Sequence, residues 1–485
     1  MQKEIIDLVQ EYKNVSIIRA KEAINSELIT KRVELKGAKI TLEQLKILSK
    51  IALKYSKGVE FTAKQNIQFR EVLSKDVMEI DNILKSINLF SESSSNNSIF
   101  QVSNTCPVCK IDNNEILDIE DIVKKINIYF EKNKEKYSNF SKRVKISLNS
   151  CGIFCTTYEI HDVAFTAFKN SKEEIWFDLT IAGGLSRLKQ TAIRVKKHIK
   201  KEQIFDVAIA CADIFNEYIF TSNKSKPRMI HLLNDWKIEK FVDKLESRLS
   251  FKLLDAKDEP AILPFEQRNH FGIHQQKQKG LFYIGFATDI GRISVESFVK
   301  IYEICEKYST GGISLTTTLN FIVYDIKEEF ISSLAKDFND IGFSYAPKAF
   351  RARLQACSGK ELCKFGIAET KEFAKNMAKE LENRLIDFDE NISITFAGCN
   401  KGCSQPYIAD IGLVGCLMRY KDKRVAGYEV FLGGNLQGEK SLLAKKIGVK
   451  VPADKLVDYI LDLINEYKKD SKQASSFREY LKLIL

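Results

Sequence analysis

The chain is written twice, and that constrains its fold more than any other property of the sequence. The stretch Ile40–Phe69 reads ITLEQLKILSKIALKYSKGVEFTAKQNIQF, and Ile293–Val323 reads ISVESFVKIYEICEKYSTGGISLTTTLNFIV. Tyr55-Ser56 aligns with Tyr308-Ser309, and Asn66 with Asn320 after a one-residue insertion. Each stretch opens with apolar residues at helical spacing and closes on an alternating, β-branched segment, so each is expected to be a helix followed by a strand. The repeat resumes with ISLNSCGIFCTTYEIHDVAF from Ile146 against ITFAGCNKGCSQPYIADIGL from Ile394. Cys151 then falls on Cys399, Cys155 on Cys403 and Asp162 on Asp410. Gly183-Gly184 is expected to match Gly433-Gly434, and Cys106 sits near the offset of Cys357. A period of about 250 residues is far too long for a solenoid. It implies two copies of one two-part unit related by pseudo-symmetry. The helix–strand pieces should pair into one central α/β sandwich, and the cysteine-bearing pieces should each form a mixed sheet with helices.

The two copies meet near Asp255–Pro264, where charge, two prolines and weak periodicity suggest a linker. The first 30 or so residues lie outside the repeat and read as a helical leader. Near the end, Pro452–Tyr467 reads as an amphipathic helix with Leu456, Val457, Ile460 and Leu463 on one face. No apolar run approaches the ~20 residues a bilayer span needs, and Met1-Gln2-Lys3-Glu4 does not open a signal peptide. A cytoplasmic protein with no membrane partner is expected. Its net charge of +11, carried by lysines along the whole chain, suits an acidic partner, an anionic substrate or a polycarboxylate cofactor. Nucleic acid is not expected, since no zinc finger, RNA-binding aromatic motif or dense basic tract is present.

In a reducing compartment, eleven cysteines point to metal or redox chemistry rather than disulfides. Cys211, Cys305 and Cys416 sit singly in apolar stretches and read as small buried hydrophobes. Four others arrive as two close pairs, Cys357-Ser-Gly-Lys-Glu-Leu-Cys363 and Cys399-Asn-Lys-Gly-Cys403, with 35 residues between them. Two short loops whose glycines (Gly359, Gly398, Gly402) let backbone approach the sulfides are what a cubane cluster needs. Structural zinc pairs usually enclose two to four residues, whereas the first pair here encloses five. Spacing alone leaves an iron–sulfur cluster, a zinc site and four unrelated thiols open.

Both pairs resemble the C-x5-C and G-C-x3-C signature of the siroheme-dependent sulfite and nitrite reductases. The neighbouring words agree: A-C-S-G-K-E-L-C-K-F-G-I-A-E-T-K from Ala356 and G-C-N-K-G-C-S-Q-P-Y-I-A-D-I-G-L-V-G from Gly398. So do L-K-G at Leu35, K-Q-N-I-Q-F-R at Lys64, A-G-G-L-S at Ala182, H-Q-Q-K-Q at His274, G-R-I-S at Gly291 and L-G-G-N at Leu432. Asn400-Lys401 departs from the proline and asparagine common after the third cysteine. The ordered set runs from about residue 33 to the C-terminus, and internal duplication is itself a family trait.

The resemblance implies an α+β, internally duplicated fold of ferredoxin-like half-domains plus two siroheme- and cluster-binding mixed-sheet domains. The expected divisions are 1–32 (leader), 33–95 (first half-domain), 96–250 (first siroheme-binding domain), 251–345 (second half-domain) and 346–485 (second siroheme- and cluster-binding domain). It further implies siroheme and a [4Fe–4S] cluster as cofactors. The cluster would be held by Cys357, Cys363, Cys399 and Cys403, with the Cys403 thiolate also ligating the siroheme iron. Gln65, Asn66, Arg70, Gly183 and Gly184 are implied siroheme contacts. Sulfite or nitrite would be reduced by six electrons. The substrate cations map to Lys64, Arg143 and Lys145, and a fourth is missing at Phe100-Gln101-Val102. A lysine at 145 is nearer the sulfite-type members, whereas A-E-T-K and D-I-G-L-V-G are nearer the nitrite-type. No flavin or nicotinamide fingerprint is visible, so a ferredoxin or similar acidic donor is expected. Two other readings of this fold remain open: an electron-transfer or redox-sensing protein without reductase chemistry, and a cobalamin-pathway relative.

Four more cysteines, Cys106-Pro-Val-Cys109 and Cys151-x3-Cys155, occupy in the first copy the places of the cluster ligands in the second. They read either as a remnant of duplication or as a second metal site, since C-x2-C with C-x3-C suits zinc or iron–sulfur.

Overall fold

The computed structural model describes residues 27–35, 37–89, 100–138, 144–186, 188–258, 260–470 and 474–485. The duplication appears first as an exchange of strands. One antiparallel sheet runs Leu28–Val33, Ile67–Leu73, Gly58–Phe61 and Arg292–Ile293. Another runs Gly272–Gln275, Leu281–Phe286, Phe321–Lys327, Ser309–Leu315 and Lys39–Thr41. Each copy thus lends its short strand to the sheet of the other. Ile293 pairs with Val59, and Ile40 pairs with Ile313.

The lent strand leads straight into the repeat helix in both copies, Leu42–Tyr55 and Val295–Tyr308. Both helices start on a hydroxyl cap: Thr41 accepts from the Gln44 amide at 3.2 Å, and Ser294 from the Ser297 amide at 3.0 Å. The two helices pack on each other. Their buried residues form one core with both sheets, in which Phe61 meets Phe298 and Phe321 edge-on at 6.3 and 6.1 Å.

The cysteine-bearing lobes repeat a second topology. Phe100–Thr105, Val144–Asn149 and Val163–Lys169 are parallel, and Ile175–Ile181 and Ile193–Ile199 follow antiparallel. In the second copy Leu354–Ala356, Ile394–Ala397 and Ile411–Tyr420 are parallel, and Lys423–Leu432 and Lys445–Pro452 follow antiparallel. Helices cover each sheet, among them Ile204–Thr221 in the first copy and Lys371–Arg384 in the second.

Several expectations are corrected. Of the helical leader, residues 1–26 lie outside the described residues, and Leu28–Val33 is a strand. Its alternation places Lys31 and Val33 inward, so sheet pairing with Ile67–Leu73 wins over helix formation. The linker starts later than expected, because Leu254–Asp255 pairs with Lys197-His198 at a sheet edge. The C-terminal helix begins at Leu456, after a single tighter turn at Ala453–Lys455. Cys211 and Cys305 are fully buried, but Cys416 is only partly so. The glycine pairs align one residue out. The Ala182 amide bonds the Asp162 carbonyl as the Gly433 amide bonds that of Asp410, so Gly183 matches Gly434. Among the described residues no helix is long and apolar enough to cross a membrane.

Candidate cofactor and anion site

Cys357 follows the strand Leu354–Ala356, and Cys363 closes the single-turn helix Gly359–Leu362 through its amide to the Gly359 carbonyl at 3.1 Å. Cys399 follows the strand Ile394–Ala397, and the Gly402 amide turns back onto its carbonyl at 3.3 Å. The two loops meet glycine to glycine. A Cβ on Gly398 would lie 2.9 Å from the Gly359 Cα, and Gly359 itself has φ +58°. That approach lets the Gly398 amide donate to the Cys357 sulfur at 3.1 Å. All four thiols line one cavity of about 820 Å³, at the meeting of the second cysteine lobe with the first half-domain's sheet.

Much of the remaining lining is basic. Lys31, Arg32, Lys64, Arg70 and Lys371 all line the cavity. Glu60, 3% exposed, anchors this basic lining. It pairs with Arg70, takes a hydrogen bond from Arg292 at 3.1 Å, and lies 3.8 Å from the Lys371 ammonium. Burial works to raise the Glu60 carboxyl, but the charges of Lys371 and Arg70 outweigh it and hold the group below the usual carboxylate range. Burial pushes Lys371 down to about 8, Glu60 partly offsets this, and Arg292 and Arg70 add to the lowering. Arg70 also donates to Thr30 at 2.9 Å and to Ser358 at 2.7 Å, joining the basic wall to the first cysteine loop.

The sequence-expected residues are distributed as follows. Cys357, Cys363, Cys399, Cys403, Lys64 and Arg70 share the cavity. Gln65 and Asn66 are buried beside Lys64 with side chains turned to backbone. Gln65 bridges the Thr105 and Leu315 carbonyls at 2.9 and 2.8 Å, and Asn66 accepts from the Leu35 amide at 3.0 Å. Gly183 and Gly184 form the turn after Ile175–Ile181 and are packed tightly. A Cβ on Gly183 would lie 2.7 Å from the Glu159 carbonyl, and one on Gly184 would lie 2.5 Å from Arg228. Lys145 donates to the Ile160 carbonyl at 3.1 Å. Burial pushes its ammonium down, with Asp162 working the other way. Arg143 lies outside the described residues. Sequence reasoning missed Glu60, Lys371, Arg292, Lys31 and Arg32. Lys371 and Arg292 stand inside the words A-E-T-K and G-R-I-S, which were the available signal.

The donor set fits the two groups this fold implies. Four thiols face one space with a backbone amide on sulfur, as a cluster requires. The basic wall, with the Arg70 Nε buried and lacking a protein partner, suits a polycarboxylate macrocycle.

Comparison with known proteins agrees. Residues 99–253 and 349–484 match the nitrite and sulphite reductase 4Fe-4S domain, and residues 26–87 and 274–341 the nitrite/sulfite reductase ferredoxin-like half domain. The chain belongs to the nitrite and sulfite reductase family. It is an oxidoreductase whose cofactors are siroheme and a [4Fe–4S] cluster. It is 27% identical over 477 residues to sulfite reductase [ferredoxin] 1 of Mycolicibacterium paratuberculosis, covering 95% of this chain and 83% of that one. It is 30% identical over 450 residues to the chloroplastic ferredoxin–nitrite reductase of Spinacia oleracea, covering 90% and 75%. The solved structure of the Mycobacterium tuberculosis NirA protein superposes with a TM-score of 0.85 at 25% identity, over 93% of this chain and 83% of that one.

Proposed function

We propose that this protein carries out the six-electron reduction of sulfite to sulfide, or of nitrite to ammonia, with sulfite preferred and a ferredoxin or similar acidic protein as donor. The observation that carries this reading is the single cavity shared by four thiols and a wall of cations. In the proposal Cys357, Cys363, Cys399 and Cys403 would hold the cluster, and Cys403 would also serve as a ligand for siroheme. The bound cofactors supply a route for single electrons and a metal centre for the anion.

The chain's own residues set the electrostatics. Lys64, Arg143 and Lys145 lower the cost of a small anion and supply protons as oxygen departs as water. Gln65 and Asn66 fix the turn that carries Lys64, through their bonds to Thr105, Leu315 and Leu35. Arg70, Arg32 and Lys371 face the macrocycle's carboxylates. Gly183 and Gly184 keep the first lobe's turn close-packed at the approach to the macrocycle. The preference for sulfite rests on Lys145, a second cation suited to a largely dianionic substrate.

Steady-state reduction of both anions by siroheme-loaded protein, with reduced methyl viologen as donor, tests this. Turnover of neither anion overturns the reductase reading. A larger kcat/KM for nitrite overturns the preference alone.

A further inference from the structure

The first copy holds its own sulfur cluster, of a different kind. The Sγ atoms of Cys106, Cys151 and Cys155 all lie within 4.8 Å of one another, and those of Cys151 and Cys155 are 3.4 Å apart. All three residues are buried. The Cys155 amide donates to the Cys151 sulfur at 3.4 Å, which favours a thiolate there. The fourth cysteine of the motif has left the group: the Cys109 thiol turns to the Asp118 carboxylate at 3.5 Å.

One further side chain lies nearby. His270, 6% exposed, is close enough to Cys151 to help hold its thiol down, but neither ring nitrogen lies within 4.8 Å of all three sulfurs. Its Nδ1 faces the Tyr283 hydroxyl at 3.4 Å, and its buried Nε2 has no hydrogen-bond partner. A buried ring nitrogen without a hydrogen-bond partner is costly unless something binds it.

We propose that Cys106, Cys151 and Cys155, joined by His270 when the metal binds, form a buried tetrahedral site for a single zinc ion. Zinc takes sulfur at about 2.3 Å and imidazole nitrogen at about 2.0–2.1 Å, which places tetrahedral sulfurs about 3.8 Å apart. The 3.4 Å between Cys151 and Cys155, with the other two spacings under 4.8 Å, is compatible with that value. The Nδ1 contact with Tyr283 is the outer hydrogen bond that ligating histidines normally make. Spacing also decides between one ion and a cluster. Three sulfurs within 4.8 Å of one another leave no room for a cubane between them. Three thiolates, a neutral imidazole and a divalent zinc leave one negative charge. The buried Arg268 senses Cys155, but it is paired with Glu159 at 2.7 Å and so offsets only part of this charge. Soft, closed and enclosed, the site is structural: it ties the first lobe's strand ends to the segment leading into the second half-domain.

The test is metal analysis with zinc-edge X-ray absorption on the anaerobically purified holoenzyme. One zinc per chain beyond the cofactor iron, in a shell of three sulfurs and one nitrogen, is the expected result. Zinc absent from protein prepared with zinc supplied, a shell dominated by oxygen, or about four further irons would each overturn the proposal. So would a Cys151–Cys155 disulfide in the native protein. His270→Gln should weaken zinc retention at least tenfold while leaving the iron content unchanged, and equal retention would remove His270 from the site. The wild-type spectrum decides even where a cysteine variant does not fold.

Discussion

The two thiol groups descend from one repeated unit and have become opposites. In the second copy the cysteines stand around a large cavity walled by cations, whereas in the first three of the four gather in one buried group. The repeat shows how the difference was made. Lys371 and Glu120 lie 14 residues after Cys357 and Cys106 respectively, yet one is a buried cation at the cavity and the other a surface acid paired with Lys110 and Lys124. Glu60 and Arg70 correspond, through the strand pairings, to Ser314 and Tyr324. The cationic network around Glu60 was therefore built on one side only. Thiol spacing survives duplication easily, but a polyanionic cofactor also needs charge around it, and only one copy carries that charge.

The sharpest break between the copies lies at Cys403 and its counterpart Cys155. Cys403→Ser should reduce sulfite and nitrite turnover to background and alter the siroheme absorption bands. Cys155→Ser should lose zinc and lower the melting temperature while keeping the cluster's visible absorption. A Cys403→Ser enzyme with normal siroheme bands and turnover would return all four second-copy thiols to equal roles.

Next in size is the buried charge network. Glu60→Gln leaves Arg70, Arg292 and Lys371 facing one another without their shared carboxylate. Breaking such a pair from one side costs about 3–5 kcal/mol. Denaturant unfolding of the apoprotein measures it, and a loss comparable to that of Ser314→Ala would show that the network is not asymmetric. The double variant Glu60→Gln, Lys371→Met should recover part of the loss.

These residues also show what could and could not be read from the chain. The duplication, the helix–strand order and the cysteine pairs were legible because each is a local pattern repeated in register. The strand exchange was not, since Ile40 and Ile313 look like ordinary strand residues until their partner is known. Lys371 opens an amphipathic helix, where lysine normally reads as solvated surface. The Ile290 carbonyl at 2.7 Å and the approach of Glu60 from the other copy together make its burial tolerable. His270 is a single histidine far in sequence from Cys151, and no spacing rule joins them. Cys109 misled for the converse reason: C-x2-C spacing is right for a metal, but the side chain found Asp118.

Lys371 gives the comparison a pH signature. Its pKa in the fold, about 8, lies below the ordinary lysine value of 10.5. Between these values the unfolded chain holds a proton that the folded chain has released, so stability should rise with pH across this window. The slope from one such group is at most ~1.4 kcal/mol per pH unit. Unfolding of the apoprotein from pH 8 to 10 should show the rise in wild type and a flatter profile in Lys371→Met. Identical slopes would mean that Lys371 keeps its charge as freely as a surface lysine does.

The smallest effect probes the turn that follows each lobe's second long strand. Ala182 and Gly433 make the same hydrogen bond, and both have positive φ, +66° and +77°. That conformation costs a non-glycine residue about 1–2 kcal/mol. Ala182→Gly removes this cost but frees the unfolded chain, which takes back about 0.4–1 kcal/mol. A net gain of about 0–1.6 kcal/mol is expected. Gly433→Ala should lose more than this gain, because the new Cβ would also fall 2.6 Å from the Leu485 side chain. Opposite signs in thermal unfolding of the two variants would confirm that the copies share this turn, aligned one residue away from where their glycine pairs suggest. Destabilisation by Ala182→Gly would mean that the first copy has repacked around the alanine methyl and that the turns are no longer equivalent.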